Sequence, residues 1–179
     1  MEHPGIEVTG LRVDAAITVA APPERVWPLL ADVTNVGRWS PECVHAAWLM
    51  PASAAAPGAR FSGRNRAPGG FEWTVTCVIT EADRPAALAW IVLDDDVSDD
   101  ATAGHTSSAW RYELGPAAGG TLVRNSFVHG AGDSGLRWMM RRHPDRAASI
   151  VAERRAQLHG NMLSTLAGLK AEAEQAAAR

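Results

Sequence analysis

Four polar side chains in the middle of the sequence are the candidates for acid–base chemistry: Tyr112, Asn125, His129 and Arg64. Such groups can move a proton when a cavity holds a substrate against them. Tyr112 and Asn125 fall among apolar neighbours on predicted strands, where a buried polar group needs a partner that a ligand could supply. The alternative partner is backbone or water. No two of the four form a recognisable acid–base dyad, so the pattern favours binding over catalysis.

Cysteine and histidine offer no clear nucleophile or metal site. Cys43 and His45 are two residues apart, which would place both on one face of a strand, although chance adjacency explains this spacing more simply. Cys43 and Cys77 form no ligand or redox pair by spacing, so we expect buried thiols in a reducing compartment, with a disulfide as the alternative. The six histidines show no zinc-binding spacing. We therefore expect neither a metal nor a cofactor.

Two groups of charges are conspicuous. The run Asp94–Asp96, with Asp99 and Asp100, lacks the glycine and distal glutamate of a calcium loop and is typical of a solvated hairpin loop. A cluster of arginines follows the last predicted strand: Arg137, Arg141, Arg142 and Arg146. Either these arginines are simply solvated, or some lie near a pocket mouth and meet an anionic ligand group or the aspartate run.

Tryptophan is unusually frequent, with seven residues against one tyrosine and three phenylalanines. Each brings a large apolar surface and one N–H donor. They are spread along the chain, which is consistent either with a core of bulky residues or with an aromatic-lined cavity. The candidate lining residues are Phe61, Trp73, Trp90, Trp110, Tyr112, Asn125, Phe127 and Met162.

The element that organises the chain is a predicted amphipathic helix over Pro144–Gln175. Its apolar positions recur at helical spacing: Val151, Leu158, Met162, Leu166 and Leu169, with Ala147 and Ala173 continuing the stripe. Before it, period-two alternation predicts one strand, two short helices and then six strands with short connections. That order implies an antiparallel meander with one apolar face, which the long helix must cover.

Composition indicates one globular domain over residues 1–179. The net charge of −3 favours neither nucleic acid nor an anionic membrane as a partner. The longest apolar run is too short to span a bilayer, so no integral membrane contact is expected. The first ten residues lack the basic and apolar regions of a signal peptide, which favours a cytoplasmic protein.

Several segments resemble the START-like superfamily, also written SRPBCC, and within it the bacterial polyketide cyclase/dehydrase and lipid-transport group. They are Ile17–Trp27, Leu29-Leu30 and Trp39–Pro41 near the start, then Trp110–Leu114 and Gly119–Val123. The resemblance covers nearly the whole chain. It implies an α+β helix-grip fold: a seven-stranded antiparallel sheet around the C-terminal helix, with an apolar cavity between them. Because these are structural residues, the resemblance does not settle activity.

Three functions remain open at this point. The first is binding of a hydrophobic small molecule, such as a lipid, polyketide-like or aromatic compound, in that cavity. The second is a polyketide cyclase, aromatase or dehydratase acting in the same place. The third is a protein-interaction module whose cavity is filled by side chains and whose contact surface is an exposed tryptophan patch or the aspartate run. A homodimer is possible under each of them.

Overall fold

A computed structural model describes residues 6–93 and 106–175. Its core is one antiparallel sheet with strand order β1-β7-β6-β5-β4-β3-β2. The strands are β1 (Arg12–Val19), β2 (Cys43–Trp48), β3 (Arg60–Arg66), β4 (Glu72–Asp83), β5 (Ala87–Leu93), β6 (Thr106–Ala117) and β7 (Gly120–His129). The six consecutive strands of the predicted meander pair in chain order, and β1 pairs with β7 at the far end.

Within the described residues, five helical segments lie at two places in the chain, after β1 and after β7. They are α1 (Pro23–Ala31), a 3-10 segment (Val33–Arg38), α2 (Gly135–Arg142), a single 3-10 turn (Pro144–Arg146) and α3 (Ala147–Gln175). The two helical segments after β1 and the long C-terminal helix agree with the sequence prediction. The first three residues of the predicted long helix instead form the 3-10 turn.

The buried face of α3 follows the predicted stripe with one shift. Leu158, Met162, Leu166 and Leu169 are at most 2% exposed. Near the N-terminus of α3, Ile150 is buried and Val151 is only half-buried. The predicted Ala147 and Ala173 are buried as well, so the apolar stripe differs from the prediction only in running through Ile150 instead of Val151.

Hydrogen bonds join the C-terminal half of α3 to β1 and to the end of the 3-10 segment. Lys170 Nζ donates to the Thr18 carbonyl at 2.6 Å, and the Ala20 N–H donates to Glu174 Oε1 at 2.7 Å. Trp39 Nε1 donates to Glu172 Oε2 at 2.9 Å. Of the seven strands, β1 lies closest to the backbone of α3. The helix thus lies over one side of the sheet, and the middle strands face it at a greater distance.

Candidate site on the concave face

Aromatic rings form a continuous row across the concave face of the sheet. Strand register places one ring on each of β2, β3, β5, β6 and β7, all on the face toward α3. We call these five residues the aromatic row: Trp48, Phe61, Trp90, Trp110 and Phe127. Successive ring centroids are 5.9, 5.8, 6.3 and 5.0 Å apart. These spacings are those of interacting aromatic pairs, so the row is one apolar surface.

The centre of the row is not fully covered. Trp90 and Trp110 stack with an interplanar angle of 15° on adjacent middle strands, yet both are only half-buried. Their backbones pair with strands on both sides, so much of the remaining exposure belongs to rings on the concave side. Phe61 and Phe127, which flank them, are 5% and 6% exposed. An apolar ligand lying on the middle of the row would complete the burial of the two indoles.

Two polar side chains interrupt this apolar surface. Tyr112 on β6 stands opposite Asn125 on β7 in the antiparallel register, and its ring lies 5.8 Å from that of Trp90. Asn125 is 2% exposed and its Oδ1 has no hydrogen-bond partner within the described residues. Tyr112 is 5% exposed, and burial raises the pKa of its hydroxyl. The phenol therefore stays protonated at neutral pH, as a hydrogen-bond donor rather than a base.

His129 lies at the β7 end of the row, 6.2 Å from the ring of Phe127. Its Nδ1 lies 2.9 Å from the Gly130 carbonyl, and its Nε2 lies 3.0 Å from Ser134 Oγ. A carbonyl can only accept, so we assign the proton to Nδ1 and let the Ser134 hydroxyl donate to Nε2. Ser134 Oγ also accepts from the Arg137 N–H at the start of α2. His129 therefore fixes the entry to α2, and both its ring nitrogens are engaged.

Burial lowers the pKa of His129, and the nearby cations Arg137 and Arg154 lower it further. The hydrogen bond to the Gly130 carbonyl and the charge of Glu7 oppose this shift without cancelling it. The neutral ring is thus favoured in the folded state, so the unfolded chain binds more protons as pH falls through about 6.5. We expect the free energy of unfolding to fall between pH 7.5 and 5.5. The maximum slope that one group can give is about 1.4 kcal/mol per pH unit.

Denaturant unfolding of a His129→Gln variant over this range is the test, because glutamine cannot titrate. The variant should lose less stability on acidification than the unmodified protein. A His159→Gln variant, changed at an exposed position on α3, is the control and should retain the full pH dependence. Equal slopes for His129→Gln and the unmodified protein would contradict the assignment.

The other candidate residues fall at different places. Met162 is buried on α3 within the core. Trp73 is on the concave face but near the β3–β4 hairpin, where it stacks on Phe71, a residue that is 71% exposed. Arg64 pairs with Thr74 and lies on the opposite, convex face, exposed to solvent. The structure therefore brings Tyr112 and Asn125 together and leaves Arg64 apart from them.

A β-bulge at the start of β2 separates Cys43 from His45. The register shift places Cys43 on the concave face opposite Asn65, whereas His45 is exposed on the convex face opposite Arg64. The expectation that both share one face is therefore wrong. Burial raises the pKa of Cys43 to about 11 and also raises that of Cys77, and both are free thiols. Neither is poised as a thiolate nucleophile.

Sequence reasoning missed a polar cluster that joins α3 to the start of β2. Arg154 makes two hydrogen bonds of 2.7 Å to the Glu42 carboxylate, and Asn161 Nδ2 donates to the same carboxylate at 2.9 Å. Gln157 Oε1 accepts from Arg154 at 2.6 Å. Arg154, Gln157 and Asn161 recur at helical spacing, but that pattern by itself is typical of any solvated helix face.

Two of the three arginines of α2 donate hydrogen bonds to nearby acceptors. Arg141 pairs with both oxygens of Asp133 at 3.0 Å, and Arg137 donates to Thr9 Oγ1 and to the Gly130 carbonyl. The aspartate run at 94–100 lies outside the described residues, so the suggested contact with it stays a prediction. Arg142 lies over the ring of Trp138, 5.2 Å from its centroid.

Three further observations limit the alternatives. In residues 6–93 and 106–175, no group of three or more His, Cys, Asp or Glu side chains is arranged to hold a metal ion. None of the described helices combines the length and apolarity needed to cross a membrane. The convex face carries shallow grooves, but Arg111 at the centre of one is already paired with Glu81 and Glu113. The grooves of the convex face are thus rich in charged side chains, whereas the concave face carries the aromatic row.

Comparison with known proteins agrees with this architecture. A family model described as polyketide cyclase / dehydrase and lipid transport matches residues 10–174. No curated protein matches the chain by sequence. Among solved structures, the polyketide_cyc-like protein Cgl2372 from Corynebacterium glutamicum is 24% identical, with a TM-score of 0.60 over 92% of this chain and 91% of that one.

Two other structures share the fold at lower identity. Protein NE0264 from Nitrosomonas europaea is 15% identical, with a TM-score of 0.63 over 97% of this chain and 100% of that one. The di-domain ARO/CYC StfQ from the steffimycin biosynthetic pathway is 14% identical, with a TM-score of 0.69 over 96% of this chain and 53% of that one. This chain thus spans about half of StfQ.

Proposed function

The chain belongs to the polyketide cyclase/dehydrase and lipid transport family, and from this premise we propose that it binds a hydrophobic, preferably aromatic, small molecule on the concave face. The observation that carries the proposal is the aromatic row with its half-buried centre at Trp90 and Trp110. Removing about 200 Å² of apolar ligand surface from water would contribute ~5 kcal/mol to binding. Flat rings would gain further from stacking on the two parallel indoles.

Native mass spectrometry of the purified protein, followed by organic extraction, tests the proposal first. A retained apolar molecule, or saturable binding of naphthalene-sized aromatics or palmitate by calorimetry, supports it. A clean apo mass with no binding of either class would contradict it. The interaction-module function would then be the better explanation, with the exposed Trp138 as its starting point.

We expect Trp90→Leu to weaken aromatic binding about tenfold, because the ring contacts Phe61, Trp110 and Tyr112 and forms the middle of the row. Trp138→Leu is the control, since Trp138 on α2 is 51% exposed. Among the described residues, its ring contacts the Arg142 guanidinium and no other aromatic ring. Calorimetric dissociation constants of the two variants provide the comparison. Loss of binding in Trp138→Leu but not in Trp90→Leu would place the ligand elsewhere.

A cyclase or dehydratase acting at the same surface is the second candidate. The observation in its favour is the Tyr112–Asn125 pair, which puts a protonated phenol and a free carbonyl oxygen beside a ring-binding surface. The phenol could donate a proton to a substrate carbonyl, and the aromatic row could hold a folded chain in a reactive conformation. Incubation with a linear poly-β-keto thioester is the assay. Faster ring closure that is lost in Tyr112→Phe would support catalysis, whereas an unchanged rate would leave binding alone.

A further inference from the structure

Asn125 is the one described residue with a buried side-chain polar atom that has no hydrogen-bond partner. Its neighbours in the sheet explain why. On β1 the opposite residue is Ala15, and on β6 it is Tyr112. The flanking residues on its own strand and face are Val123 and Phe127, both apolar. The fold therefore holds a carbonyl oxygen in an apolar wall and gives it no donor.

We propose that Asn125 Oδ1 is a specificity-determining acceptor that selects aromatic ligands bearing a hydrogen-bond donor, such as a phenolic hydroxyl or a ring N–H. The inference rests on the proposed function, because it concerns the same concave face. A carbonyl oxygen can only accept, so the complementary ligand group must donate. An alkyl chain or an ionised carboxylate offers no donor and leaves the oxygen unpaired.

The neighbouring Tyr112 strengthens the assignment. Tyr112 is 5% exposed and pairs directly opposite Asn125 in the strand register. A ligand hydroxyl placed between the two can donate to Asn125 Oδ1 and accept from the Tyr112 hydroxyl. Trp90, whose ring touches Tyr112, would lie under the ligand ring at the same time. In this arrangement, Tyr112 and Asn125 contact the polar edge of a planar ligand, and Trp90 stacks on one of its faces.

The test uses three ligands of closely similar size: 2-naphthol, 2-methoxynaphthalene and 2-methylnaphthalene. For the unmodified protein, the calorimetric dissociation constant of 2-naphthol should be about tenfold lower than those of the other two ligands, because they lack a hydrogen-bond donor. The methoxy oxygen of 2-methoxynaphthalene can accept a hydrogen bond but cannot donate one. This ligand therefore shows whether the site requires a donor or only an acceptor. Equal affinity for all three, or tighter binding of the methoxy compound, would overturn the inference. If none of the three binds but palmitate does, the inference alone fails; if palmitate does not bind either, the proposed function fails.

Asn125→Leu is the matched variant, because leucine has the same branching at Cγ and no polar atom. It should bind 2-naphthol and 2-methoxynaphthalene equally, because both can still accept from the Tyr112 hydroxyl, whereas Tyr112→Phe should keep the preference for the donor. The melting temperature of ligand-free Asn125→Leu should rise, since the unpaired oxygen is removed. A lowered melting temperature together with an unchanged donor preference would show that Asn125 has only a structural role.

Discussion

An Arg154→Met variant should lose about 2–3 kcal/mol of unfolding free energy, because it leaves the Glu42 carboxylate largely buried without its main partner. The Arg154 and Glu42 side chains are 27% and 16% exposed. Arg154→Met removes both short hydrogen bonds to Glu42 and the one to Gln157. Among the described residues, only Asn161 then still donates a hydrogen bond to the carboxylate. Urea unfolding measures the loss.

Arg141→Met is the matched control for this result. Arg141 also pairs with both oxygens of one carboxylate, that of Asp133 at 3.0 Å, but the two side chains are 57% and 53% exposed. Exposed pairs contribute about 0–1 kcal/mol, so we expect little change. Adding Glu42→Gln to Arg154→Met should restore part of the stability, since no unpaired charge remains. Equal losses for Arg141→Met and Arg154→Met would contradict the role given to burial.

The fold was predictable because it depends on local pattern. Alternation along each strand identifies the residues that share a face, which is why Trp110 and Tyr112, or Asn125 and Phe127, could be paired from sequence. The stripe on α3 was visible for the same reason. Single-residue offsets were not, since Ile150 and Val151 are equally apolar and only packing decides between them.

The site was less predictable because strand register and long-range contacts define it. Trp48 completes the aromatic row by lying opposite Phe61, and nothing within β2 alone indicates that alignment. A bulge reversed the expected relation of Cys43 and His45, since one extra residue inverts the face of those that follow. Arg154 and Glu42 are 112 residues apart, so no local spacing could join them.

The two glycines of α3 illustrate how the same substitution depends on what the helix faces. Gly168 packs against Trp39, and a Cβ added there would lie 2.8 Å from the Trp39 Cβ. The Trp39 indole cannot simply rotate away, because the contact is at its Cβ and its Nε1 donates to Glu172. The backbone after the 3-10 segment would have to move. Gly160 is exposed and has no atom within 4 Å of an added Cβ.

We therefore expect opposite outcomes from the two alanine substitutions. Gly160→Ala should raise the free energy of unfolding by about 0.5–1 kcal/mol, the gain in helix propensity. Gly168→Ala has the same propensity gain, but the overpacking should outweigh it and leave a net loss of about 1–2 kcal/mol. Thermal and urea unfolding of both variants measure the difference. If Gly168→Ala is as stable as Gly160→Ala, then Trp39 does not pack closely against Gly168. The contact between α3 and the 3-10 segment would then contribute less to stability than the structure implies.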